Sequence, residues 1–133
     1  MLIKHLADHL VIHSPMCGEI REILTQSDYK PLGIALALDI QPTQAHYHRT
    51  FDEIYFVLDG QISVESFDPQ DGTVRISELG SNELLVIKKG VHHRILSASE
   101  RNRLCVITSP PFCREDELAS DRLGEALAVP IGN

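Results

Sequence analysis

The stretch H-Y-H-R-T-F-D-E-I-Y-F-V-L-D-G, from His46 to Gly60, constrains this chain more than any other. His46 and His48 are separated by one residue, and on an extended strand that spacing sends both imidazoles to the same face. Glu53 opens an apolar run, Ile54 to Leu58, that closes on Asp59-Gly60, a strong hairpin signal. A further imidazole is available at His93. Three imidazoles and one carboxylate suit a divalent transition metal. The expectation is a small β-barrel built around one metal ion.

Short strand-like runs recur along the rest of the chain. Over 18–24, Ile20, Glu22 and Leu24 share one face, with Arg21 and Ile23 on the other. Leu32 to Ile40 reads as a strand apolar on both faces, which implies cover on both sides. Further strands are expected over 46–49, 53–58, 61–67, 74–79, 84–87, 93–96 and 103–109, and Pro110-Pro111 closes the sheet region. Residues 2–10 fit a short leading helix or an irregular arm over a barrel edge. A short helix within 115–128 and a loose tail would end the chain. Many short strands without βαβ units predict an all-β sandwich or barrel. The 133 residues fit one domain, 1–133, with its core at about 18–111.

Charge narrows the partners. Nineteen acidic against 12 basic residues give a formal charge of −7, and no basic cluster exceeds Lys88-Lys89. Nucleic acid is therefore not expected as a ligand. No run approaches a membrane span, and Met1 to Leu10 lacks a signal peptide's basic and apolar regions, so a cytoplasmic protein is expected. Three cysteines without C-x-x-C spacing argue against a disulfide framework. Cys105 reads as a small buried hydrophobe, while Cys17 and Cys113 flank turn residues.

His46, His48, Glu53 and Gly60 follow a pattern that resembles the first motif of the cupin superfamily: H-x-H, four residues, E, six residues, G. Gly90 and His93 match that family's second motif, whereas Asn82, Lys88 and Ser97 stand where Gly, Pro and Asn are usual. Those departures fall at turns and strand ends, and Asn tolerates positive φ nearly as glycine does. The run Arg103 to Phe112 is similar to the closing strand of small cupins. The resemblance implies a double-stranded β-helix, or jelly-roll, barrel with short helical or irregular termini. It implies His46, His48, Glu53 and His93 as ligands of one divalent metal, with Fe, Mn, Ni, Zn and Cu all open.

The implied activity is that of a small metalloenzyme acting on a small polar molecule in the barrel. It would be an oxygenase, or an isomerase or lyase using the metal as Lewis acid. The alternative is a cupin that binds metal or metabolite without turnover. Tyr55 shares the face of Glu53 and is the candidate catalytic side chain, able to orient a ligand or donate a proton. Ile95 shares the face of His93, and His92 is expected at the rim or surface. Arg21, Glu22 and Tyr29 are candidates for the mouth. Apolar surface on Leu32 to Ile40 and on Met1 to Leu10, together with the family analogy, favours a homodimer.

Overall fold

Alternating side chains fold this chain into two antiparallel sheets facing each other across an apolar core. The computed structural model describes residues 1–6, 10–14 and 18–123. One sheet holds, in spatial order, β1 (Leu10–Ser14), β2 (Gly18–Leu24), β3 (Gly33–Leu38), β10 (Arg103–Ser109), β5 (Asp52–Asp59) and β8 (Leu84–Ile87). The other holds β11 (Leu118–Ala119), β4 (His46–Tyr47), β9 (His92–Ala98), β6 (Ile62–Asp68) and β7 (Thr73–Leu79). This is the expected all-β jelly roll. No helix among the described residues is long and apolar enough to cross a membrane.

Register arranges the inward side chains of the first sheet in rows. Ile20, Ala37, Leu104 and Val57 form one row, and Glu22, Ala35, Val106 and Tyr55 form the next. Gly33, Thr108, Glu53 and Ile87 form a third. Polarity therefore rises from row to row toward Glu53. The inner face of β3 carries only Gly33, Ala35 and Ala37, while Ile34, Leu36 and Leu38 point outward. Small residues facing a barrel interior leave it unfilled, and a cavity lies there. Val57, Val64, Ile95 and Leu104 are almost wholly buried in the core.

The turns follow residue chemistry. Gly60 ends β5 at φ +87°, and a Cβ there would come within 2.5 Å of the Arg101 carbonyl oxygen, so both conformation and space demand glycine. Asn82 takes φ +70°, the left-handed conformation expected of it. Asn102 is buried and locks the barrel's base. Its amide accepts from the Ile40 N–H at 3.0 Å and donates to the carbonyls of Ile40 at 3.1 Å and Ser99 at 2.9 Å.

The ends of the chain follow expectation only in part, the irregular alternative holding over 1–5. Residues 1–5 carry no regular element, and Leu10–Ser14 is an edge strand rather than the end of a helix. The open edge of β2 offers unpaired backbone groups, and β1 satisfies them from Leu10↔Glu22 to Ser14↔Gly18. The remainder of that expectation, at 7–9, lies outside the described residues, as does Cys17.

No helix forms over 115–123. A single 3-10 turn, Arg114–Asp116, leads into β11, which pairs with β4 through Leu118↔Tyr47 and Ala119↔His46. Residues 124–133, with the rest of that helix and the tail, are outside the description. Cys105 is also only partly buried, because alternation on β10 turns it to the outer face of the first sheet.

Candidate metal centre

The two sheets contribute unequally to one cluster. His46 on β4 pairs directly with His93 on β9, and His48 follows just past the end of β4. His46 and His93 come from the second sheet and His48 from the chain just beyond it, whereas Glu53 comes from β5 in the first. One potential ligand atom from each lies within 4.8 Å of the others, and all four residues are buried. The four residues that the motif spacing singled out are thus brought together at one point inside the barrel.

Each imidazole is oriented through Nδ1. The Nδ1 atoms lie 2.9 Å from the Gln44 carbonyl oxygen for His46, 2.8 Å from that of Asp116 for His48, and 3.0 Å from that of Val91 for His93. A carbonyl oxygen only accepts, so each Nδ1 carries a hydrogen and donates it. In the neutral ring, each Nε2 is then a bare lone pair. His93 Nε2 stands 2.9 Å from Glu53 Oε1 and His48 Nε2 stands 3.6 Å from the same oxygen.

Two acceptors at 2.9 Å repel unless a positive charge lies between them. A shared proton can supply that charge, and so can a metal ion. His48 Nε2 is buried and makes no hydrogen bond. Buried polar atoms are almost always partnered, so this orphaned lone pair, aimed at a carboxylate, fits a divalent cation.

Electrostatics favour the ligand form at His46 and Glu53, whereas His48 must give up a proton to bind a metal. Burial, and then the neighbouring His93, lower the pKa of His46 to about 3, so that ring is neutral. Burial alone would raise Glu53, but His48 and His93 outweigh it and hold the carboxyl well below its ordinary range. Burial alone would lower His48, yet Glu53 and the Asp116 carbonyl hold it above its ordinary value. A neutral imidazole and an ionised carboxylate are the ligand forms a metal needs.

Supporting groups come from distant parts of the chain. Besides its carbonyl, Asp116 uses its carboxylate to accept from the Arg49 N–H at 2.9 Å, the Thr50 N–H at 2.8 Å and the Thr50 hydroxyl at 2.7 Å. Phe51 stacks on His48 with centroids 4.2 Å apart. The Gly90 N–H donates to the His48 carbonyl at 2.6 Å, tying the second motif to the first. Sequence reasoning missed Asp116, because no local pattern marks a residue that acts 66 to 68 positions away.

A narrow cavity adjoins the centre. Glu53 borders it together with Glu22, Tyr55, Ile95, Phe112 and the small residues of β3, and it offers about 30 Å³ to water-sized occupants. That volume holds very few waters. Tyr55 is buried, with its ring in edge contact with that of His93 at 6.2 Å. Of the mouth candidates only Glu22 reaches the cavity. Tyr29 is 49% exposed, and Arg21 pairs with Glu19 at 3.4 Å. His92 points away from His93 as alternation requires, but it is not at the surface. Tyr47 stacks on it at 4.2 Å and the Ser120 hydroxyl lies 2.6 Å from its Nδ1, so the C-terminal segment covers it.

No protein-family profile matches the chain, and no curated protein sequence matches it. Solved structures do. A protein from Planctomyces limnophilus superposes with a TM-score of 0.71 at 25% identity, covering 89% of this chain and 95% of that one. A variant of oxalate decarboxylase from Bacillus subtilis gives 0.74 at 18% identity, covering 98% of this chain. This chain spans only 37% of the decarboxylase. Another structure of that enzyme, at 17% identity, concerns its Mn(II) centres. Streptomyces PAC13, solved with uridine, gives 0.72 at 10% identity and 96% coverage of both chains. This chain thus shares its fold with these solved structures, and it carries a buried His-His-Glu-His quartet at the positions of the cupin-like motif.

Proposed function

We propose that this protein is a divalent-metal-dependent enzyme that transforms a small polar molecule by isomerase or lyase chemistry. The observation that carries the reading is the shared orientation of the three rings. Each Nδ1–H is held by a backbone carbonyl, which leaves each Nε2 free as a ligand. His46, His48, Glu53 and His93 would hold the ion, and the ion would supply Lewis acidity to a bound oxygen or nitrogen donor. The Mn(II) of the decarboxylase neighbours makes manganese a reasonable first metal to test.

The chain's own groups supply the rest. Tyr55 lies on the cavity wall one inward row from Glu53, where its hydroxyl can hold or donate a proton. Ile95, Val106 and Leu104 keep the wall apolar and limit water. Two side chains able to exchange protons, Tyr55 and Glu22, on one small cavity favour proton transfer over oxygenation.

The test is elemental analysis of protein purified without a histidine tag, paired with oxygen uptake on a panel of small acids and amines. Bound manganese, zinc or nickel without oxygen consumption supports the reading. Stoichiometric iron with substrate-dependent oxygen uptake would replace it with an oxygenase. The small volume of the cavity favours a second reading, a cupin that binds metal or metabolite without turnover. Metal binding with no turnover across the panel would establish that one.

The protein is also taken as a homodimer. Val86, Ile54, Ile107 and Ile34 form one outward row on the first sheet, and Leu84, Phe56, Cys105 and Leu36 form another. A second copy would cover these rows.

A further inference from the structure

Every group on the cavity wall that can carry charge is an acid. Glu53 and Glu22 border the cavity, and among the described residues no lysine, arginine or histidine does. Glu53 is committed to the quartet through His48 and His93. Glu22 is different. It is only partly exposed, and no described residue makes a hydrogen bond or ion pair with it. Burial without a partner pushes its carboxyl up, the sign of a charge that lacks compensation.

Its position is set by register. Glu22, Ala35, Val106 and Tyr55 occupy one inward row across four strands. Three strand spacings separate Glu22 from Tyr55, about 14 Å at the backbone. Between them stand Ala35 and Val106, with Gly33 in the adjoining row, so the slot runs from Glu22 toward Glu53 over small and apolar residues. The one cavity thus has on its wall both Glu53, the quartet's carboxylate, and Glu22.

We propose that Glu22 sets the ligand's chemistry: the cavity takes a small, slender molecule whose far end carries an amine or another hydrogen-bond donor, and it disfavours dicarboxylates. The inference rests on the reading of the quartet as a metal centre. An ammonium or N–H group at the far end would partner Glu22 as no protein group does. A second carboxylate there would face Glu22 across an apolar wall with no cation between them, and like charges at close range oppose binding. The pocket thus chooses by repulsion as much as by attraction.

The experiment uses Mn(II)-loaded full-length protein, with metal content measured first. Binding of 3-aminopropan-1-ol and of malonate is compared by calorimetry for wild type, Glu22→Gln and Glu22→Asp. The amino alcohol should bind wild type. In Glu22→Gln its affinity should fall about tenfold while that of malonate rises, and metal content should not change. Glu22→Asp, which keeps the charge, should keep the wild-type preference. Unchanged relative affinities in Glu22→Gln, or a preference lost equally in Glu22→Asp, would overturn the assignment while leaving the centre intact. Failure of wild type to take up metal would sink the centre, and this inference with it.

Discussion

His48 ties the quartet to the rest of the molecule. Its Nδ1–H is held by a carbonyl from the C-terminal segment, its ring lies on Phe51, and its Nε2 is the orphan of the cluster. His48→Ala should therefore bring metal content well below that of wild type by elemental analysis, and full retention would remove His48 from the ligand set. Asp116→Ala should act on the same ligand at a distance. It frees the Arg49 and Thr50 N–H groups and loosens the carbonyl that orients His48, so metal affinity should fall about tenfold in competition with a chelator. Unaltered affinity would mean that backbone packing alone holds the segment.

The pH dependence follows from the same residue. A ring must shed its Nε2 proton to bind a metal, so affinity falls as pH falls through the pKa of that ring. His48 is held above its ordinary 6.5. Apparent metal affinity should then begin to fall on the alkaline side of 6.5 as pH is lowered, as followed by equilibrium dialysis at fixed free metal. Metal-free protein has the opposite sign. A raised folded-state value makes protonated His48 stabilising below 6.5, and that contribution is lost as pH rises through the raised value. Across that window, thermal stability should increase with pH when metal is present and decrease after chelation. Parallel curves would contradict the assignment.

Among the elements, β3 shapes the cavity. Ala35→Leu would project a larger side chain into the slot from the middle row. Ligand binding should be abolished with metal content intact, at a stability cost of about 1–3 kcal/mol from overpacking. Retained ligand affinity would place the binding path elsewhere. The loop after β3 depends on Asn102. Asn102→Leu strands the Ile40 N–H and C=O groups in the interior, and chemical denaturation should show a loss of about 1–3 kcal/mol.

Parts of this were legible in advance. The two-residue period of a strand brings His46 and His48 to one face, and the Asp59-Gly60 turn fixes where β5 ends. The alternation of Gly33, Ala35 and Ala37 with Ile34, Leu36 and Leu38 also stands in the sequence, although its consequence, an unfilled interior, needed the partner strands to be seen. Asn102, Asp116 and the Ser120 hydroxyl over His92 could not be read, because their partners lie 28 to 68 residues away. The edge strand β1 and the lack of an α-helix over 115–123 were missed for a related reason. A short segment takes the conformation that satisfies a neighbouring sheet edge, and that edge is invisible to local propensity.

At the level of the whole molecule, the outer face of the first sheet is the surface a second copy would cover. Leu84 is 54% exposed and Val86 51% exposed, and both continue apolar rows across β5, β10 and β3. If a second copy covers them, Val86→Lys should convert the species seen by light scattering from dimer to monomer while leaving metal content alone. A monomeric wild type would withdraw the homodimer.

The division of the quartet between the sheets has one more consequence. Two ligands sit on one sheet, a third just past its strand β4 and the fourth on the other sheet, so an ion held by all four is a cross-link between the layers. A ligand that binds only the folded state, at a thousand times its dissociation constant, adds about 4 kcal/mol of stability. Opening the barrel requires releasing that ion, so proteases that attack the opened chain would clear the unloaded form first. The protein's lifetime in a cell would then follow the supply of its metal, and its abundance would record that supply.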